Sequence, residues 1–310
     1  MSTVEEGVND RRPDATLPEP ARPPARAAGQ GEPVDWPRRP SPEASRTGGL
    51  VGVVLAQVLA EVRQGRRVPE FLVGVVGVPV LLYCMFGLPQ AGKTLPEGTD
   101  VAAMMYASIG CYGVVSLAIF TFGADVANER GKGWLRRLRS TPMPMWVYFV
   151  GKFVMAALFT LAMLVLMLAV AVLLAHVHFD AGRLVEAVGI LVVGAVAFST
   201  MGFALAFWTR PKAASAVSNL VFLPLSFLSG FFFPVASLPG ILQDIAPYMP
   251  TYHFGQLVWG AMAPDGDVAA FGVLSPGSTI SHVWPVLLTS VVFGVIAALG
   301  YRRNVGEVSS

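Results

Sequence analysis

Charge is scarce in this 310-residue chain: Asp, Glu, Lys and Arg make up 14% of it, against about 25% in soluble domains. Hydrophobic residues reach 54%, and the combination excludes an ordinary water-soluble enzyme. Cysteine is almost absent. Cys84 and Cys111 both sit in long apolar runs, where a thiol behaves as a small buried hydrophobe, so a disulfide framework is excluded. Nor is there a strong excess of either sign. Residues 1–46 hold 7 of the 22 Lys and Arg and 8 of the 20 Asp and Glu, which leaves 15 against 12 for the remainder. That is no nucleic-acid footprint.

What is present begins with a Pro-rich tail. Residues 1–46 carry Pro13, Pro18, Pro20, Pro23, Pro24, Pro33, Pro37, Pro40 and Pro42 and few bulky apolar side chains. Such a segment buries too little surface to offset its ordering entropy, and we expect a disordered cytoplasmic tail. The pairs Arg11-Arg12 and Arg38-Arg39 lack the apolar stretch that an export signal requires. In residues 47–68, Val51, Val54, Leu55, Val58, Leu59 and Val62 recur at helical spacing, and Arg63, Arg66 and Arg67 close the segment. This pattern predicts an amphipathic helix lying at the membrane interface, with its arginines facing anionic head groups.

A bilayer core of about 30 Å needs about 20 helical residues. Six stretches qualify or nearly so: Phe71 to Leu88, Val101 to Gly123, Phe153 to Val177, Leu184 to Trp208, Ser215 to Phe233 and Val283 to Gly300. The expected fold is therefore an all-α membrane protein with six transmembrane helices in a domain covering residues 69–303, followed by a short tail, 304–310. Between the last two spans, Pro234, Pro239, Pro247, Pro250, Pro264 and Pro276 break the chain, which predicts short re-entrant helices. Lys and Arg crowd alternate connections: Arg63, Arg66 and Arg67; then Arg130, Lys132, Arg136, Arg137 and Arg139; then Arg210 and Lys212; then Arg302 and Arg303. The positive-inside rule accordingly places both termini in the cytoplasm.

Several apparent chemical motifs fail on context. Gly87 to Thr94 matches the phosphate-loop pattern GxxxxGK(S/T), but Pro96 and Gly98 follow where a helix should open, and charge counting puts the segment outside the cell. Asp125 resembles a Walker B aspartate only because membrane spans resemble buried strands in composition. Ser199 lacks the preceding Gly-x of an intramembrane protease, and His176, His178, His253 and His282 fall at span ends. No nucleophile and base, and no metal cluster, can be assembled from them. Ionisable residues near midspan, expected of an ion-coupled transporter, are missing. Lys152 and Glu186 lie near span ends, from which they can snorkel to the interface.

The remaining candidate is the basic loop from Asn128 to Pro142. Trp134, Leu135 and Leu138 share a helical face ringed by arginines such as Arg136, and Thr141-Pro142 ends the helix. The segment reads either as a docking knob or as a loop resting on lipid head groups.

Together these residues resemble the ABC type 2 export permeases, especially the daunorubicin-resistance-type drug exporters. The likeness rests first on Glu129-Arg130-Gly131 followed by Leu135 to Pro142 between the second and third spans. It rests second on Ser229-Gly230 with Pro234, then Pro239, then Pro250-Thr251-Tyr252. It covers residues 50 to 303. Two departures stand out: Lys132-Gly133 replaces a helix-favouring pair, and Phe254 to Ala261 lacks the acidic residue and arginine common in relatives.

The resemblance implies a non-enzymatic plasma-membrane permease subunit that exports a hydrophobic drug, natural product or lipid. A polysaccharide or glycolipid permease is the alternative, and a polytopic membrane enzyme a more distant one. It implies no cofactor on this chain, with ATP and Mg on a partner ATP-binding cassette ATPase, a second permease copy or paralogue, contact with membrane lipid, and no nucleic-acid partner. Glu129, Arg130, Gly131, Trp134, Leu135, Arg136, Leu138, Thr141 and Pro142 would couple to the ATPase. Ser229, Gly230, Pro234, Pro239, Pro250, Tyr252 and Phe254 would form an outer gate.

Overall fold

The computed structural model describes residues 52, 55–60, 63, 73–134, 137, 140, 144–272 and 278–306. The expected tail, 1–46, lies outside them, as do parts of the 47–68 segment. Within the latter, residues 55–60 are helical and leave Leu55 and Leu59 exposed. Among the described residues, six helices are long and apolar enough to cross a membrane. They are α1 (Val73–Gln90), α2 (Val101–Gly131), α3 (Met145–Ala175), α4 (Ala181–Trp208), α5 (Pro211–Leu228) and, last in the chain, α9 (Thr279–Gly306). Between α5 and α9 lie α6 (Gly240–Ile245), α7 (Pro250–Met262) and α8 (Asp265–Ala270). No strand is found among the described residues, only an isolated bridge between Thr94 and Asp100. The chain is a multi-pass membrane protein.

Burial is unevenly shared. Of the most apolar 18-residue window in each helix, 89% is buried in α2 but only 17% in α9 and 22% in α1 and α5. α2 is thus the central post, packed against α4, α7 and α3, while outer helices turn Leu173, Val185, Leu220 and Val291 outward. With no water to drive association in a membrane, helices adhere through close packing, for which small residues are needed. Gly202 of α4 meets this need most sharply: a Cβ there would run into the Ala118 carbonyl oxygen of α2 and the Phe122 side chain.

Among the span boundaries that differ from the sequence expectation, three have a local physical reason. α3 begins at Met145, not Phe153, since Lys152 is neutralised inside the bundle; at 1.5 Å per residue its 31 residues span about 46 Å. α2 continues past Gly123 through a π-helical turn, Phe120–Asp125, to Gly131. α5 stops at Leu228 before Phe233, because Gly230 adopts φ +80°, a left-handed conformation that glycine enters without a Cβ penalty.

Alternation of the helices gathers Arg130, Lys132, Lys152, Arg210, Lys212, Arg302 and Arg303 at one end of the bundle, called the basic end below. The opposite end carries the 91–100 loop and α6 to α8.

Candidate functional site

At the basic end, the last turn of α2 is tied into its neighbours by side chains. Glu129 accepts hydrogen bonds from Tyr148 Oη at 2.5 Å and Lys152 Nζ at 2.7 Å, joining α2 to α3. The Lys152 side chain is 3% exposed, so it does not snorkel outward as its position suggested. Arg130 points the other way. Its guanidinium donates to the carbonyls of Phe207 and Thr209, closing the C-terminal end of α4, and to Asn304 Oδ1 of α9. Phe203 packs beside this junction against Phe122, Phe149 and Phe153, with ring centroids 4.9, 5.1 and 5.8 Å away.

Glu129 and Arg130, expected in a coupling loop, are therefore struts between four helices, and Gly131 ends the helix against Pro211. The chain turns at Lys132 and Gly133 (φ +73°) and is helical again at Trp134, which is 43% exposed. Leu135, Arg136, Leu138, Thr141 and Pro142 lie outside the described residues.

The opposite end carries α7. Its 13 residues, about 20 Å long, are too short to cross a bilayer core of about 30 Å. Pro250 opens the helix, at a position where its missing N–H has no helical partner to lose. Its aromatics Tyr252, Phe254 and Trp259 are turned into the bundle, whereas Tyr248 just before it is exposed. Phe254 lies over Gly194 of α4 with its ring 5.2 Å from Phe198, and Trp259 Nε1 donates to Ser108 Oγ of α2 at 2.9 Å. Tyr252 is buried with Val235 and Ala246, and this burial raises its phenol above the ordinary value. The Ser229 and Thr251 hydroxyls stand 2.5 Å apart, joining the end of α5 to α7. Pro234 sits under Gly272, and Pro239 leads into α6.

Asp267 of α8 fastens the 91–100 loop by accepting from the backbone N–H groups of Glu97 (2.7 Å) and Thr99 (2.9 Å). Burial alone would raise its carboxyl, but hydrogen bonds from Thr99 and Glu97, aided by Arg183, hold it below the usual carboxylate range. In the phosphate-loop lookalike, the Gly92 N–H donates to Asp100 at 3.0 Å and Lys93 Nζ to Gln90 Oε1 at 2.9 Å. A group that would cradle a phosphate already holds a carboxylate. Ser199 Oγ likewise donates to the Val196 carbonyl. Among the pairings that sequence reasoning missed, His253 and His282, 29 residues apart, bring their Nδ1 atoms within 3.0 Å.

A cavity of about 380 Å³ opens between α1, α2 and α5. Apolar Val78 and Phe222 line it together with Tyr112, Ser116, Asp125 and Asn219. Polar groups within a membrane domain are expensive unless they face protein or a cavity, so this wall marks a candidate pathway.

Comparison with known proteins agrees with this architecture. Over 212 residues the chain is 24% identical to a putative transport permease, YvfS, of Bacillus subtilis (strain 168), covering 67% of this chain and 85% of that protein. It is 27% identical over 213 residues to the inner membrane transport permease YhhJ of Escherichia coli (strain K12), covering 63% of this chain. It is 25% identical over 202 residues to a probable multidrug ABC transporter permease, YbhR, of the same strain, covering 65% of this chain. The match spans only 50% of the length of each Escherichia coli protein. The sequence model of the ABC-2 type transporter family matches residues 54–262, from the helical segment before α1 to the end of α7. The chain belongs to the ABC-2 type transporter family and is a membrane transporter subunit.

Proposed function

We propose that this subunit is the membrane half of an ATP-driven exporter that moves a hydrophobic drug, natural product or lipid out of the cytoplasm, while a separate ATP-binding cassette ATPase binds ATP and Mg. The observation that carries this reading is the junction at Glu129 and Arg130. A push on the segment after Gly131 acts on the end of α2, and through the two side chains it reaches α3, α4 and α9. Trp134, standing out beyond the turn, is the anchor offered to the ATPase. A second permease copy or paralogue faces α1 and α5, where the cavity opens and Leu81, Met85, Leu220 and Phe227 are exposed. Tyr252, Phe254 and the Ser229–Thr251 contact hold α7 across the outer end of that path.

The test is copurification of the chain with its ATPase, followed by a substrate-stimulated ATPase screen. Aromatic anchors at interfaces contribute about 2 kcal/mol or more. Trp134→Ala should therefore lower affinity for the ATPase roughly thirtyfold while leaving membrane insertion unchanged. Normal copurification and export by this variant would assign the loop to lipid head groups instead.

Orientation follows from the basic end facing the cytoplasm. In a background lacking Cys84 and Cys111, a cysteine at exposed Ser237 should react with an impermeant thiol reagent in intact cells. One at exposed Ser140 should react only after permeabilisation. The reverse pattern would invert the topology.

A further inference from the structure

Where α7 meets α4 and α9, a polar pocket and an apolar groove share a wall. The pocket, of about 120 Å³, is bounded by Glu186 of α4, Gln256 of α7, Asp265 of α8, and Thr279 and His282 of α9. The groove, of about 420 Å³, runs on between Val193, Ala197, Phe254, Val283 and Leu287. Glu186, Ile190, Leu257 and Thr279 border both.

Two side chains of the pocket are buried yet unsatisfied. Gln256 is 5% and His282 8% exposed, and the Nε2 atom of each has no hydrogen-bond partner within the described residues. Buried polar atoms are nearly always paired, so such orphans point to a missing ligand or water. The protonation of the His282 Nε2 follows from its neighbours. His253 Nε2 lies 2.8 Å from the Pro247 carbonyl, which can only accept, so that nitrogen carries the hydrogen. His253 Nδ1 then offers a lone pair to His282 Nδ1, which donates across 3.0 Å. Neutral His282 is left with a lone pair on Nε2, within a pocket that also holds two carboxylates. The Gln256 amide can supply its oxygen by a flip.

We propose that this composite site binds an amphiphilic primary amine. The protonated amine sits among Glu186, Asp265, His282 and Gln256, and the alkyl chain lies in the groove. Three strong acceptors suit an ammonium, which has three donors and no lone pair, and the same carboxylates repel an anionic head. At about 30 Å³ per water, the pocket has room for an ammonium and a few atoms around it. The groove wall is apolar along α4 and α9, as a chain drawn from the bilayer requires. The inference concerns binding and needs neither ATP nor an ATPase, so its failure would leave the transport reading untouched.

The test uses the full chain in phosphatidylcholine nanodiscs with a radiolabelled dodecylamine probe, and with dodecanol as the chain-matched neutral control. Saturable binding of the amine is expected, at least tenfold tighter than that of the alcohol. The double variant Glu186→Gln with Asp265→Asn should reduce amine binding at least tenfold. Both positions are exposed, so folding should be preserved, as a size-exclusion profile would verify. Adding phosphatidylethanolamine separates the sources: competition identifies a bilayer lipid amine as the occupant, and its absence identifies a free one. Equal binding of amine and alcohol, or amine binding unaffected by the double variant, would overturn the proposal.

Discussion

Replacing Glu129 by alanine should destabilise the purified protein by about 3–5 kcal/mol, the usual effect of removing one partner from a buried ion pair. The Lys152 side chain is 3% exposed and the Glu129 side chain 15%, so water cannot easily take over the role of the lost carboxylate. The Tyr148 hydroxyl loses its acceptor in the same step. Glu129→Gln keeps the hydrogen-bonding shape without the charge and should fall between the two. Replacing both partners, with Lys152→Met added to Glu129→Ala, should recover most of the loss, because a well-packed apolar pair is often as stable as a buried ion pair. Chemical denaturation in detergent measures all four proteins. A Glu129→Ala chain within about 1 kcal/mol of the parent would class the pair with exposed bridges.

Gly202→Val should prevent assembly of the folded bundle. Overpacking usually costs about 1–3 kcal/mol when neighbouring side chains can yield. At Gly202 the first obstacle is a backbone carbonyl, that of Ala118, which can move only if α2 and α4 separate. The expected effect lies above that range, and it would be seen as loss of the monodisperse, protease-resistant species. Gly194→Ala provides the contrast. Its Cβ would meet the Phe254 ring, a side chain rather than backbone, so that variant should assemble with a loss inside the ordinary range. Equal behaviour of the two variants would show that the α2–α4 contact is looser than described.

The fold class and the number of spans were legible because long apolar runs bounded by charge and proline can do little else in a cell. The limits of those runs were harder to place. A charge in an apolar chain reads as the edge of a span, so the pattern starts α3 only after Lys152 and leaves Glu129 and Arg130 in a loop. Their partners, Tyr148, Asn304 and the α4 carbonyls, come from other helices, and no local pattern announces them. The same limit hid the His253–His282 contact. Between the last two spans, the prolines mark out short helices, and α6 to α8 are short. The inward packing of α7 depends on Gly194 and Ser108, which are remote in sequence.

The all-round burial of α2 has a consequence for biosynthesis. α4, α7 and α9 are made after α2, so a nascent chain must hold its future centre in bare lipid while synthesis continues. Its mean hydropathy of 1.7 allows this, and Ala102, Ala107, Gly110 and Gly113 leave shallow notches that acyl chains can fill for a time. Until α4 arrives, those notches are the most recognisable mark of an unfinished molecule. Membrane quality control should therefore seize incomplete chains at α2 and release them once α4 has docked.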